Sequence, residues 1–150
     1  MTDLDALGAS MLDAVPFART IGVEFIAASD DGRCVTARMS DHPRLHNHVG
    51  GPHAGAMFSL AETASGAVVM ATFGDQLGRA VPLAVRADIE YRKLAMGAVE
   101  ATARLDRPRD EVLAELDAGQ RPEFTVTVDL TRGDGAVAAQ LRIVWTLRPN

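Results

Sequence analysis

One charged residue, Glu62, interrupts a long run of small and apolar side chains. The run extends from Ala54 to Phe73 and contains no other ionisable side chain. A helix that is apolar on every side is normally buried, and burying a carboxylate costs free energy unless the group is partnered or functional. Because perturbed carboxylates concentrate at functional sites, Glu62 is the first candidate for a catalytic group. The alternative is a solvated carboxylate at the rim of the fold.

The start of this helix is the second candidate. Gly50, Gly51 and Pro52 precede it, and the spacing predicts that Pro52 occupies the first turn. The amides of His53, Ala54 and Gly55 then lack acceptors within the helix. Such amides, together with the helix dipole, favour a carbonyl oxygen on its way to an oxyanion. Ala54 and Gly55 would also let a substrate approach the backbone closely.

The spacing of the two candidates predicts an oligomer. Ala54 and Glu62 are eight residues apart, which corresponds to ~12 Å of helical rise. They cannot both touch one reacting carbonyl within a single subunit. If both are catalytic, a site combines the helix start of one protomer with Glu62 of another, as a two-fold dimer does twice.

The elements that must position these groups are read from periodicity. Apolar residues at helical spacing predict an N-terminal helix over 3–15, within a segment 1–16 that Pro16 ends. Strands are predicted at 21–28 and 33–39, a loop at 41–52, and an inserted surface helix within 107–120, with Pro108 as its first residue. Strict two-residue alternation predicts four further strands, near 81–91, 99–105, 124–130 and 137–147. For the first of them it predicts one face with Val81, Leu83, Val85, Ala87, Ile89 and Tyr91. The other face would carry Ala84, Arg86, Asp88, Glu90 and Arg92.

Only the 52–73 helix is apolar enough to cover this sheet, so we predict one α+β domain, 1–150, with an antiparallel sheet wrapped around a buried helix. The edges of such a sheet call for a partner chain. Tyr91 and Trp145 are interpreted as core or dimer-contact aromatics.

Composition narrows the functional classes. The net charge of −5 and the absence of a basic run argue against a nucleic-acid partner. The central Glu and the small polar residues of the long helix argue against a membrane span. The single cysteine, Cys34, cannot form an internal disulfide, and the acidic N-terminus does not resemble an export signal. We therefore expect a cytoplasmic protein.

The stretch Asn47-His48-Val49-Gly50-Gly51-Pro52-His53-Ala54-Gly55, followed by Leu60-Ala61-Glu62, resembles the motif of hotdog-fold acyl-CoA thioesterases of the PaaI-like type. The order of elements agrees over roughly residues 16–148. The resemblance implies that Glu62 activates water or attacks the thioester carbonyl, and that the Ala54 amide polarises that carbonyl from the opposite subunit. It also implies that Asn47 holds the water or the thioester, and that His53 supports the helix start.

The sequence departs from that family pattern at two positions. Ala54 stands where the family has the middle glycine of His-Gly-Gly, and no hydroxyl lies near Ala84, where many relatives carry Ser or Thr. The implied product is a carboxylate and a free thiol, with coenzyme A entering as part of the substrate and with no metal or redox cofactor. The expected oligomer is a dimer or a dimer of dimers. Expected substrate contacts are Gly55, Met57, Phe58, Ala84 and, for the phosphates, Arg86.

Three alternatives remain open at this stage. The first is a hotdog hydratase or dehydratase, in which a histidine such as His48 acts with Glu62 across the dimer. The second is a non-catalytic acyl-CoA or lipid-binding protein, since fold does not determine chemistry. The third is a metal held by residues of the 41–53 loop, where neutral imidazoles are available; its candidate ligands are Asp41, His42, His46, His48 and His53.

Overall fold

The computed structural model describes residues 1–150 and contains four α-helices and six strands. The helices are α1 (Leu4–Ala14), α2 (Pro16–Thr20), α3 (Ala54–Phe73) and α4 (Arg109–Asp117). The strands are β1 (Val23–Ala28), β2 (Cys34–Met39), β3 (Ala80–Tyr91), β4 (Val99–Leu105), β5 (Glu123–Arg132) and β6 (Val137–Pro149). They form one antiparallel sheet in the order β1-β2-β4-β5-β6-β3. The predicted α+β architecture is confirmed.

Helix α3 is the centre of the core. It packs against β2, β4, β5 and β6, and Leu60, Ala64 and Val68 have no solvent exposure. By length and composition alone the segment Ala54–Gln76 would pass as a membrane span, but the core helix of a soluble protein passes the same test. In this fold 61% of its most apolar stretch is buried inside the protein. The sheet therefore supplies the apolar surroundings that the composition of the helix demands.

A β-bulge divides β3 into two halves. The pairing of β3 with β6 shifts between Ala84 and Arg86, which leaves Val85 without a partner. Residues directly opposite each other on paired strands point to the same face. The β3 residues that lie opposite the helix-facing residues of β6 are Pro82 and Ala84 before the bulge and Ala87, Ile89 and Tyr91 after it.

For the residues of β3 that precede the bulge, the predicted side of the sheet is therefore wrong. Val81 and Leu83 lie on the side away from α3, because one extra residue reverses the alternation. Ala84 and Arg86, which alternation predicted on one face, lie on opposite faces.

The two edges of the sheet differ in how they are protected. The β1 edge is six residues long, contains a bulge and is packed against α1. The β3 edge is twelve residues long and lies beyond the main contacts of α3. Val85 is 42% exposed and Tyr91 48%. A long, unprotected edge of this kind is the one available for pairing with a second chain.

The two smaller helical regions differ in detail from expectation. Helix α1 ends before Pro16 as predicted, but Pro16 also begins the short helix α2. Helix α4 follows Pro108, which is its N-cap residue rather than its first residue. Its stripe, Val112 and Leu116, is buried in the main core. The insertion is thus an integral part of the fold and not only a surface helix.

Candidate functional site

The loop before α3 is held together by the side chain of Asn47. Its Oδ1 accepts hydrogen bonds from the amides of Val49 and Gly51, at 3.0 and 3.1 Å. Gly50 has a φ of 79°, a left-handed conformation that favours glycine. A Cβ at Gly51 would overlap the carbonyl oxygen of Ala95, so the 92–98 segment can lie close only because Gly51 has none. Oδ1 of Asn47 thus shapes the loop, and the contact of Asn47 with water or the thioester that the resemblance implies stays a prediction.

The helix start offers fewer free amides than the sequence predicted. Pro52 lies outside the helix and forms an isolated bridge with His46. The amide of His53 donates to the carbonyl of Leu45, at 2.7 Å. The amide of Gly55 donates to Nδ1 of His53, at 2.8 Å. Of the three predicted amides, only that of Ala54 has no acceptor within the chain.

His53 therefore acts as the cap of α3. The lone pair of its Nδ1 satisfies the Gly55 amide, which leaves the ring proton of the neutral imidazole on Nε2. A Cβ at Gly55 would come within 3.1 Å of that Nδ1. The small residue at 55 thus permits the cap as well as access to the backbone.

Tyr91 joins the far end of β3 to the helix start. Its hydroxyl donates to the carbonyl oxygen of Ala54, at 2.9 Å. Burial raises the pKa of Tyr91, which keeps the phenol protonated and able to donate. Asn47, Ala54, Tyr91 and Lys93 line one open pocket of about 300 Å³. The sequence indicated only a core or interface aromatic here, because alternation reveals the face of a strand but not the reach of a hydroxyl.

A second open pocket lies on another side of the helix start. It has a volume of about 410 Å³ and is lined by His53, Gly55 and Ser59 together with residues of α2 and of the 43–46 segment. Phe17 of α2 is 57% exposed beside it. His53 and Gly55 thus face this pocket, whereas Ala54 and Asn47 face the first.

Glu62 lies further along α3, in a pocket of about 150 Å³. Its side chain is half-buried and forms no hydrogen bond or ion pair within the chain. Burial raises the pKa of Glu62, because the apolar surroundings disfavour the charged form. It is the only ionisable residue of the pocket, whose lining comes mainly from α1, α3 and the Pro82 end of β3.

The two candidate groups therefore lie at opposite ends of β3. Ala54 contacts Tyr91, the last residue of the strand. Glu62 shares its pocket with Pro82, near the first residue. Helix and strand thus run alongside each other in opposite directions. A single protomer does not bring Ala54 and Glu62 together.

The predicted substrate contacts are only partly surface residues. Met57 is 4% exposed and belongs to the core, and Phe58 packs against that core. Neither residue lines a pocket, since Met57 is buried and Phe58 is half-buried against the core. Ala84 and Arg86 are exposed on β3. Met11 and Trp145, which sequence reasoning did not assign to a site, line the Glu62 pocket instead.

The histidine-rich loop does not gather a ligand set. His46 pairs through Nε2 with Asp41, and Nδ1 of His42 accepts from the Arg44 amide. No group of three His, Cys, Asp or Glu residues in the chain is arranged to hold a metal ion.

Residues 5–147 match a protein family described as Domain of unknown function (DUF4442). The chain belongs to the DUF4442 family. No curated protein sequence matches it. This DUF4442 protein is 25% identical to a Pseudomonas aeruginosa protein of known structure that is described as a probable thioesterase. The match covers 99% of this chain and 97% of the other, with a TM-score of 0.85.

Two further structures show the same fold for the DUF4442 chain. A mutant thioesterase of Pseudomonas aeruginosa is 23% identical over 100% of this chain and 96% of its own, with a TM-score of 0.77. The E. coli PaaI protein of the phenylacetic acid degradation operon is 17% identical over 97% and 96%, with a TM-score of 0.72. The predicted hotdog fold and the likeness to PaaI-type proteins are confirmed, and the neighbours agree with the prediction of a thioesterase.

Proposed function

We propose that this protein is an acyl-CoA thioesterase in which Glu62 is the catalytic carboxylate. The observation that carries the proposal is the state of Glu62: a half-buried carboxylate, without a partner, in an apolar pocket. A protein of purely structural function gains nothing from such a group, because burying an unpaired charge destabilises the fold. The likeness to a protein described as a probable thioesterase supports the same chemistry.

In the proposed reaction a water molecule attacks the thioester carbonyl while Glu62 takes its proton. The carbonyl oxygen becomes an oxyanion that accepts a hydrogen bond from the free amide of Ala54. Collapse of the tetrahedral intermediate breaks the C–S bond, and the thiolate leaves with the proton that Glu62 returns. The products are a carboxylic acid and a free thiol. Direct attack by Glu62 through an anhydride would use the same groups.

The proposed site is shared between two protomers. If two β3 edges pair antiparallel about a two-fold axis, the Tyr91 end of one strand comes beside the Pro82 end of the other. The partner's Ala54 then approaches Glu62, and the symmetric site forms at the same time. The exposed edge of β3 and the free amide of Ala54 support this arrangement.

Coenzyme A is the proposed thiol. Lys93, the only lysine of the chain, lines the pocket beside Ala54 and could contact a phosphate group. The free thiol of Cys34 suits a cytoplasmic location, which we also propose.

The direct test is a thiol-release assay over a panel of acyl-CoA thioesters. Glu62→Gln keeps the size of the side chain and removes the base, so kcat should fall by about 10²–10⁴. Glu100→Gln makes the same change on the exposed outer face of β4 and should leave turnover unchanged. Undiminished turnover in Glu62→Gln would exclude the proposed mechanism.

Complementation tests the shared site. Ala54→Pro removes the proposed oxyanion donor, and proline is well tolerated at a first helical position that follows extended backbone such as that of His53. Each variant alone should be inactive. After co-refolding with Glu62→Gln, a random mixture contains half heterodimers with one intact site each, so about one quarter of wild-type activity should return. If both variants fold and exchange subunits but no activity returns, Ala54 and Glu62 do not act together in a site shared between protomers.

A non-catalytic acyl-CoA-binding protein is the second candidate, and a specific observation favours it. Oδ1 of Asn47 is engaged in its own loop, and Ala84 carries no hydroxyl. The attacking water therefore has few groups to orient it near Glu62. This candidate predicts acyl-CoA binding without thiol release. A hydratase would interconvert enoyl- and hydroxyacyl-CoA, also without releasing thiol.

A further inference from the structure

We propose that the pocket beside Glu62 is an acyl pocket that limits the substrate to one six-membered ring or a straight chain of about six carbons. The inference rests on the proposed thioesterase function and names its substrate class. It moves the acyl group from the slot near Met57 and Phe58 that the sequence indicated, because neither of those residues lines a pocket.

The chemistry of the pocket suits an apolar group attached to a reacting carbonyl. Apart from Glu62, two lining side chains carry a hydrogen-bonding group, namely the hydroxyl of Thr63 and the indole N–H of Trp145. Thr63 donates its hydroxyl to the carbonyl of Ser59, at 2.7 Å, and the indole donates to Ser65, at 3.2 Å. The remaining walls are aliphatic or sulfur-containing. An acyl group would meet no unpaired donor there, and Glu62 would lie beside its thioester.

The size of the pocket sets the limit. Its volume of about 150 Å³ equals that of an apolar cavity known to hold one benzene molecule, roughly six carbons. Helix α1 covers it through Met11, which is 4% exposed, and Trp145 of β6 is 8% exposed. A chain too long for the pocket would have to displace Met11, the one buried residue of α1. Each methylene that cannot enter an apolar pocket costs about tenfold or more in kcat/KM.

Gly66 of α3 leaves space in the pocket between the helix and the side chains of Met11 and Trp145. One turn along α3 from Glu62, a Cβ added at Gly66 would lie 3.6 Å from Cε of Met11 and 3.8 Å from Cη2 of Trp145. These are ordinary van der Waals contacts, so alanine fits without overlap. Because alanine is also the better helix former, Gly66→Ala should fold at least as well as wild type.

The experiment measures kcat/KM for straight-chain acyl-CoA thioesters from two to twelve carbons, together with benzoyl- and phenylacetyl-CoA. We expect a maximum near six carbons or with a single ring, and a fall of about tenfold or more for the first methylene that no longer fits. Gly66→Ala should move the maximum to chains shorter by one or two carbons. Gly78→Ala adds the same methyl group in open space and should leave the profile unchanged.

A profile that rises to twelve carbons, or one that Gly66→Ala and Gly78→Ala affect equally, would overturn the acyl pocket. A second measurement separates this result from failure of the proposed activity. S-hexyl- and S-dodecyl-coenzyme A are thioethers that cannot be hydrolysed, and Trp145 is the only tryptophan.

Binding of the S-hexyl compound should change the fluorescence of Trp145, and Gly66→Ala should weaken this binding about tenfold. Both effects are expected even if wild type releases no thiol, in which case the activity would be refuted and the pocket retained. Equal or tighter binding of the S-dodecyl compound, or no fluorescence change with either, would refute the pocket itself.

Discussion

At the residue scale, Glu62 carries a charge that its surroundings do not compensate. No cation or hydrogen-bond donor of the chain contacts its carboxylate, and burial raises its pKa. A general base operates best when its pKa is near the working pH, so a raised pKa suits a carboxylate that must accept a proton from water. The same feature costs stability, as is common at functional sites.

The pH dependence of turnover follows from this state. Only the ionised form of Glu62 can take a proton, so kcat/KM should rise with pH through a pKa above the ordinary glutamate value. A pH–rate profile from pH 4 to 9 measures it. A profile that is flat over this whole range would contradict the assignment of Glu62 as the base.

The pH dependence of stability has the opposite sign. Because the pKa of Glu62 is raised in the folded state, its contribution is most favourable below its unfolded pKa and is lost as pH rises through the folded pKa. Glu62→Gln should therefore stabilise the protein by about 0.5–2 kcal/mol at pH 7, and by less at pH 4. Urea unfolding at both pH values measures the difference. A variant less stable than wild type at pH 7 would show that the carboxylate has a partner.

At the element scale, the start of α3 is braced from two directions. His53 caps the Gly55 amide, and Tyr91 holds the carbonyl of Ala54 from β3. Together these bonds position the free amide of Ala54. Preorganised donors act on the transition state only when their position is maintained.

Tyr91→Phe tests this brace. It removes one hydrogen bond worth about 1 kcal/mol and keeps the ring, so kcat should fall about fivefold with little change in KM. Steady-state kinetics and thermal unfolding are measured together. A loss of stability with unchanged kcat would assign Tyr91 a purely structural role.

The loop before α3 depends on close backbone approach. Gly51→Ala would overlap the Ala95 carbonyl, and overpacking of this kind costs about 1–3 kcal/mol. Gly133→Ala adds a methyl group in open space within the β5–β6 turn, where we expect a change within about 0.5 kcal/mol. Urea unfolding of both variants gives the comparison. Equal stabilities would mean that the 92–98 segment moves away at no cost.

At the scale of the whole molecule, the exposed edge of β3 is where the proposed two-protomer site would form. Its outer face carries Arg86, Asp88 and Glu90 in alternation. Antiparallel pairing about a two-fold axis can oppose the arginine of one strand to an acidic residue of the other, twice. The sheet would then continue across two protomers.

Arg86→Glu should weaken the proposed dimer about tenfold, since two unlike-charge pairs become like-charge pairs at roughly 0.5–1 kcal/mol each. Arg148→Glu makes the same reversal on β6, away from the edge, and should leave association unchanged. Light scattering over a concentration series measures both. Equal behaviour of the two variants would place the interface elsewhere.

The sequence by itself determined the elements and their general arrangement. Alternation over β3 to β6 and the apolar run of α3 are local patterns, because strand and helix periods are set by the backbone. The position of Glu62 on that helix, and the separation of Ala54 from it, followed from the same regular geometry. These features follow from local, regular backbone geometry, so they can be predicted without knowing which distant residues are in contact.

Tertiary structure alone decided which atoms remain free and which side chains form a pocket. The bulge at Val85, the capping bond of His53 and the engagement of Asn47 each depend on one residue's place in a particular register or turn. Met11 and Trp145 lie far apart in the chain and meet at Gly66 only through packing. Such contacts leave no periodic signal in the sequence, since their geometry is set by how the elements stack and not by how each one forms.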